Sequence, residues 1–293
     1  MKIIQGLQLM NKKLQVFFIF SISLFGLCGF KPVDIINATI TRKGYSVYYD
    51  LDYGMKPRQK LDVYVPEKLS SNPTTLIFFY GGSWQFGDKN MYRFLGQAFA
   101  SKGYISVIVN YRLYPEVYFP EFVEDGAKAI RWVHNNIPKY GGRANNIFIA
   151  GHSAGAHIAA LLITDEHYLK HVGGNRSWIR GMIGIAGPYD FLPFTDPNLK
   201  ALFSKVNFSN TQPIRYVKKG LPPCLLVAGN NDTTVNPENT ISFANRLHEF
   251  KVPVKKIIYP NIGHIGIILS LASGFHYKAP LLEDIRKFIS SVK

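Results

Sequence analysis

A chain of 293 residues, 47% of them hydrophobic and 14% aromatic, can bury a large core, which excludes a disordered or fibrous protein. Its 34 Lys and Arg against 19 Asp and Glu give a formal charge of +15, but these bases are scattered and form no run interleaved with aromatics. A nucleic-acid groove is therefore not expected, and two cysteines are too few for a disulfide framework or a cysteine metal site.

Lys12 and Lys13 precede an apolar run over residues 14–27. The run suits the hydrophobic region of a signal peptide and is short for a spanning helix. Residues 1–30 are accordingly predicted to be an export signal, with an uncleaved membrane anchor as the alternative; a start at Met10 would give a leader of compact length. Cys28 stands where bacterial lipoproteins carry their lipid, although Leu27 occupies a place where a small residue is expected. The positive charge also suits attraction to an anionic membrane surface.

Residues 31–293 then read as one domain. Stretches 45–53 and 59–65 alternate as two antiparallel strands would, and 74–80 is continuously apolar, as a strand covered on both faces should be. A helix is expected over 92–102, a strand over 105–110 and a helix over 123–136. A short β-rich segment, 146–150, precedes a helix from about 156. Strands follow at 182–186, 224–228 and 254–259, with helices at 238–251 and 282–292. This alternation predicts an α/β fold, a doubly wound and mostly parallel sheet with antiparallel N-terminal strands. Residues 187–222, rich in proline and aromatics, interrupt the rhythm and read as a small cap or pocket wall. Cys224 falls within an apolar strand and is expected to be an inert core thiol.

The segment Gly151-His152-Ser153-Ala154-Gly155 joins a β-rich stretch to a helical one, the setting that a G-x-S-x-G nucleophile elbow requires. The sharp turn tolerates only small neighbours and leaves the serine hydroxyl at the carboxyl edge of the sheet. A serine hydroxyl is a poor nucleophile without a base beside it, and the base needs an orienting acid. Asp232 lies in the loop after the 224–228 strand and His264 in the loop after the 254–259 strand, so both open on the same edge as Ser153. An oxyanion needs N–H donors; Ala154, after the nucleophile, and Gly81, Gly82 and Ser83, in the loop after the 74–80 strand, are candidates. Trp84, Phe86, Tyr189, Phe191 and Phe194 are candidate substrate contacts. His152 flanks the nucleophile and is expected to point away from the site. His152 and His157 are five apart, unlike a helical zinc pair, so no metal is expected. The apolar run 266–272 reads as a buried helical turn in preference to an acyl or lipid contact.

From residue 45 onward the chain resembles the carboxylesterase branch of the α/β-hydrolase superfamily, near the hormone-sensitive-lipase-like and arylformamidase-like esterases. The resemblance rests on Phe79-Tyr80-Gly81-Gly82-Ser83-Trp84, Asn110-Tyr111-Arg112-Leu113, the elbow, Asp232 and His264. The stretch from Glu124-Asp125 through Tyr140-Gly141-Gly142 to the elbow also resembles plant isoprenylcysteine methylesterases. One departure stands out: Tyr80 takes the place of the histidine that usually opens the H-G-G-G loop, which puts in doubt how that loop is ordered. The resemblance implies a serine carboxylesterase needing no cofactor and acting on a small-molecule or lipid-like ester. The alternatives are an amidase or arylformamidase, a prenylcysteine methylesterase, or a catalytically silent binding protein of the same fold.

Overall fold

The computed structural model describes residues 32–38, 40, 41 and 43–292, which divide into two units at residue 40. The first contributes one short helix, α1 (Pro32–Ala38). The export signal and Cys28 lie outside the described residues. Among those described, no helix is long and apolar enough to cross a membrane.

The second unit opens with β1 (Tyr45–Asp52) and β2 (Lys60–Pro66), paired antiparallel. β3 (Thr75–Phe79), α2 (Arg93–Ala100), β4 (Ile105–Val109), α3 (Glu121–Asn136), β5 (Ile147–His152) and α4 (Ala154–Thr164) follow. Then come α5 (His167–His171), β6 (Ile179–Ile185), α6 (Pro197–Leu202), β7 (Cys224–Gly229), α7 (Glu238–Glu249), β8 (Val254–Tyr259), α8 (His264–Leu269) and α9 (Leu281–Ser291). The strands form one eight-stranded sheet in the order β1-β2-β4-β3-β5-β6-β7-β8. β1–β2 and β2–β4 pair antiparallel, and all later pairs are parallel.

Burial explains the sequence pattern. Every residue of β3 and β5 is buried, as their unbroken apolar runs require of strands covered on both faces. α4 is apolar all round, and all of it is buried against the sheet. The edge strand β8 exposes Lys255 and Lys256, charges that discourage further strand pairing. The Asn110-Tyr111-Arg112 segment is tied to α3 by the buried Asp125 carboxylate, which accepts the Arg112 Nε and Nη2 at 2.8 Å each and Gln59 Nε2 at 2.6 Å. Cys224 is buried in β7, and burial pushes its thiol pKa up, which suppresses the reactive thiolate.

Topology places the site. The chain runs from β3 outward to β4, then returns to the other side of β3 to form β5. The loops leaving β3 and β5 therefore emerge beside each other at the carboxyl edge, where ligands of doubly wound sheets bind. Their register is direct, Phe79 opposite Gly151. The connection from β6 to β7 departs from the same edge. It carries α6 and two single-turn helices, with Phe191, Phe194 and Phe203 packed on one another.

Candidate active site

Ser153 sits between β5 and α4 with φ 53° and ψ −122°, a strained conformation for a residue with a side chain. Its backbone is over-determined: its N–H donates to Ile185 O at 2.9 Å, and its carbonyl accepts from Ala156 and His157. A Cβ on Gly151 would run into the Gly155 backbone, and one on Gly155 into the Phe79 and Tyr80 carbonyls. The two elbow glycines are thus the condition for packing strand, turn and helix this closely.

Asp232 and His264 come from the loops after β7 and β8, which are stitched together. Asn230 N–H donates to Tyr259 O, Asn231 N–H to Ile262 O, and Asn261 N–H to the Asn230 side chain at 2.7 Å. Asp232 Oδ1 accepts from the N–H groups of Thr234 and Val235, both at 2.9 Å, leaving Oδ2 to accept from His264 Nδ1 at 2.7 Å. A carboxylate can only accept, so the imidazole proton sits on Nδ1 and Nε2 is left as the basic nitrogen. Burial works against the Asp232 charge, but hydrogen bonds from His264 and the two backbone amides outweigh it and hold the carboxyl below its usual range. Ser153, Asp232 and His264 are 7%, 6% and 8% exposed, so each can be reached but little water surrounds it.

The loop after β3 closes over the serine. A Cβ on Gly81 would lie 2.9 Å from both the Ser153 Cβ and His152 Nδ1, so glycine lets the backbone lie against Ser153. Gly82, Ser83 and Trp84 all have positive φ, at 134°, 51° and 58°, and Gly82 O accepts from both Gln85 and Phe86 N–H. Gly81, Gly82, Ser83 and Ala154 stand as the candidate oxyanion donors, Gly81 and Ser153 being packed against each other.

A cavity of about 560 Å³ opens beside Ser153 and Ala154. Trp84, Phe191 and Phe194 line it, together with Leu199, Val235 and Asn236, which the sequence did not single out. Two expected contacts are elsewhere. Tyr189 turns into the core, where its ring stacks on Phe243 at 4.6 Å. Phe86 points outward and is 69% exposed. Asn239, also missed, accepts from the N–H groups of Tyr189 and Asp190 at 3.0 Å and so fixes the start of the β6–β7 connection against α7. The apolar run after His264 is α8 and its following turn, with Ile267, Leu271 and Ala272 buried.

His152 corrects another expectation. Its ring does not point away: it lies 4.7 Å from the His264 ring, and its Nε2 donates to the His264 carbonyl at 3.1 Å. His157 lies beneath the cavity, donating from Nε2 to Thr211 O at 2.7 Å, its ring edge-on to Trp84. Burial, then the neighbouring His264, pushes His152 down to about 3, and burial pushes His157 down to about 4. Both are therefore neutral in the folded protein at pH 7, and an unfolded histidine takes up its proton near pH 6.5. Stability from these two groups is fully present above about pH 6.5 and is lost as the pH falls towards 4. Each histidine should cost about 1 kcal/mol per pH unit in that window. Urea midpoints at pH 7, 6 and 5 check this, and a profile flat across those values would contradict it.

Known proteins similar to this chain include esterases. A family model described as BD-FAE matches residues 61–247. An isoprenylcysteine alpha-carbonyl methylesterase of Arabidopsis thaliana is 27% identical over 257 residues, 80% of this chain and 60% of that protein. Esterase LipC of Mycobacterium tuberculosis is 29% identical over 234 residues, 72% of this chain and 58% of that protein. The chain thus spans between half and about three-fifths of the length of such curated relatives. Among solved structures, esterase B from Lactobacillus rhamnosis with a tributyrin phosphonate inhibitor matches with a TM-score of 0.75 at 19% identity. That match covers 97% of this chain and 96% of that one, a likeness of the α/β-hydrolase fold.

Proposed function

The chain belongs to the BD-FAE family, and from that membership and the site geometry we propose that it is a serine carboxylesterase working through Ser153, His264, Asp232 and an acyl-enzyme. The observation that carries this reading is the 2.7 Å contact between His264 Nδ1 and Asp232 Oδ2, at the sheet edge where the strained Ser153 lies.

In this reading the Ser153 oxygen attacks the ester carbonyl while His264 Nε2 takes the hydroxyl proton. The negative charge develops on the carbonyl oxygen, where the N–H groups of Ala154, Gly81, Gly82 and Ser83 meet it. Asp232 stabilises the imidazolium and keeps the ring from turning. The tetrahedral adduct collapses, the bond to the alkoxy oxygen breaks, and His264 returns the proton to the departing alcohol. A water then attacks the acyl-enzyme, giving its proton to His264, and the acid leaves as Ser153 is reprotonated. Trp84, Phe191 and Phe194 hold the substrate by apolar contact.

Hydrolysis of p-nitrophenyl esters from acetate to palmitate tests the reading. The expected result is turnover that is highest on acetate and butyrate. Turnover of aryl formamides with none on any ester would overturn it in favour of an amidase that uses the same residues.

A further inference from the structure

We propose that Arg58 is a positioning residue for the oxyanion loop, its guanidinium stapling together the two ends of the 81–86 segment; the proposal rests on the serine esterase reading above. Arg58 lies on the connection between β1 and β2, distant in sequence from every residue of the site. Its Nη2 donates to the Tyr80 hydroxyl at 2.6 Å and to the Gly87 carbonyl at 2.9 Å, and its Nε donates to the Tyr111 carbonyl at 2.9 Å. Tyr80 opens the loop and Gly87 ends it. One planar, always charged group thus closes the base of the loop and anchors it to the segment following β4.

The rest of the base is built around that staple. The Tyr111 hydroxyl donates to Tyr80 O at 2.8 Å, fixing the plane of the peptide that leads into Gly81. The Tyr80 ring is stacked between Tyr111, at 4.7 Å, and Tyr92, at 5.5 Å. Gly87, at φ 111°, leaves room for that ring, since a Cβ there would come within 2.6 Å of it. This arrangement explains how the loop is ordered without a histidine at position 80: the long phenol reaches a cation that an imidazole at the same Cα would not reach. The loop needs such support, because three successive positive φ values persist only where the surroundings impose them.

The staple touches neither substrate nor nucleophile, so its effect must pass through the placement of the loop N–H groups. Those donors are fully used only when charge is on the oxygen, in the transition state. Loss of the staple should therefore lower kcat and leave KM nearly alone.

The test compares wild type with Arg58→Met and Arg58→Lys, with rates expressed per site titrated by an organophosphate. For p-nitrophenyl butyrate, kcat should fall about 10- to 100-fold in Arg58→Met with KM changed less than about twofold. The inhibition constant of a trifluoromethyl ketone, whose adduct carries the oxyanion, should rise in parallel. Arg58→Lys should rescue little, since one ammonium cannot bridge three acceptors in fixed directions. Tyr80→Phe should show part of the loss, and adding it to Arg58→Met should cost less than the sum. Hydrogen exchange over residues 80–88 should speed up in Arg58→Met while β3 and β5 stay protected, a readout that does not depend on turnover. Unchanged kcat per titrated site, or unchanged exchange of the loop, would overturn the proposal. A wild type that hydrolyses no ester would sink the esterase reading instead, with loop exchange still deciding the staple.

Discussion

Replacing Ser153 with alanine is expected to lower kcat on p-nitrophenyl acetate by about 10⁵- to 10⁶-fold, with little change in thermal midpoint. The size follows from covalent catalysis, because without the oxygen no acyl-enzyme forms and only the pocket and the N–H donors remain. The small effect on stability follows from the backbone. Alanine keeps the Cβ and the positive φ that Ser153 already tolerates, and the three backbone hydrogen bonds holding the elbow remain. Rates of the variant and of wild type, with circular dichroism to show both folded, make the comparison. Residual activity above about 1% would mean that another group is the nucleophile.

Asp232→Asn is expected to lower kcat by about 10⁴-fold. The Asn side chain can still accept from Thr234 and Val235 through its oxygen. That turns its NH₂ toward His264, where the carboxylate now accepts from Nδ1 at 2.7 Å. Two donors cannot face each other, so the imidazole proton moves to Nε2, the nitrogen that has to receive the serine proton. The loop geometry survives and the base is lost. A kcat within tenfold of wild type would show that His264 is oriented by something other than Asp232.

The sheet was legible because its central strands are buried on both faces and carry unbroken apolar runs. The sharp turn at Ser153 was legible because the glycines flanking it answer a steric demand that a side chain would not meet. Asp232 and His264 could be read because each directly follows a strand, and parallel strands open their loops on one edge. What sequence did not carry was the direction of single side chains. Tyr189 and Phe191 are two residues apart in one loop, yet one stacks in the core on Phe243 and the other lines the cavity. Nothing local distinguishes them. His152 meets His264 only because the end of β5 and the start of α8 are adjacent in space, a contact between residues far apart in the chain. The Arg58 staple is of the same kind, joining three segments that the sequence keeps apart.

The most direct test of the account is titration with diethyl p-nitrophenyl phosphate followed by peptide mass analysis. The account predicts one equivalent of p-nitrophenol released, one diethylphosphoryl group on the peptide containing Ser153, and activity lost in proportion to labelling. Folded protein that takes up no label, or label carried on a residue other than Ser153 as activity falls, would contradict it.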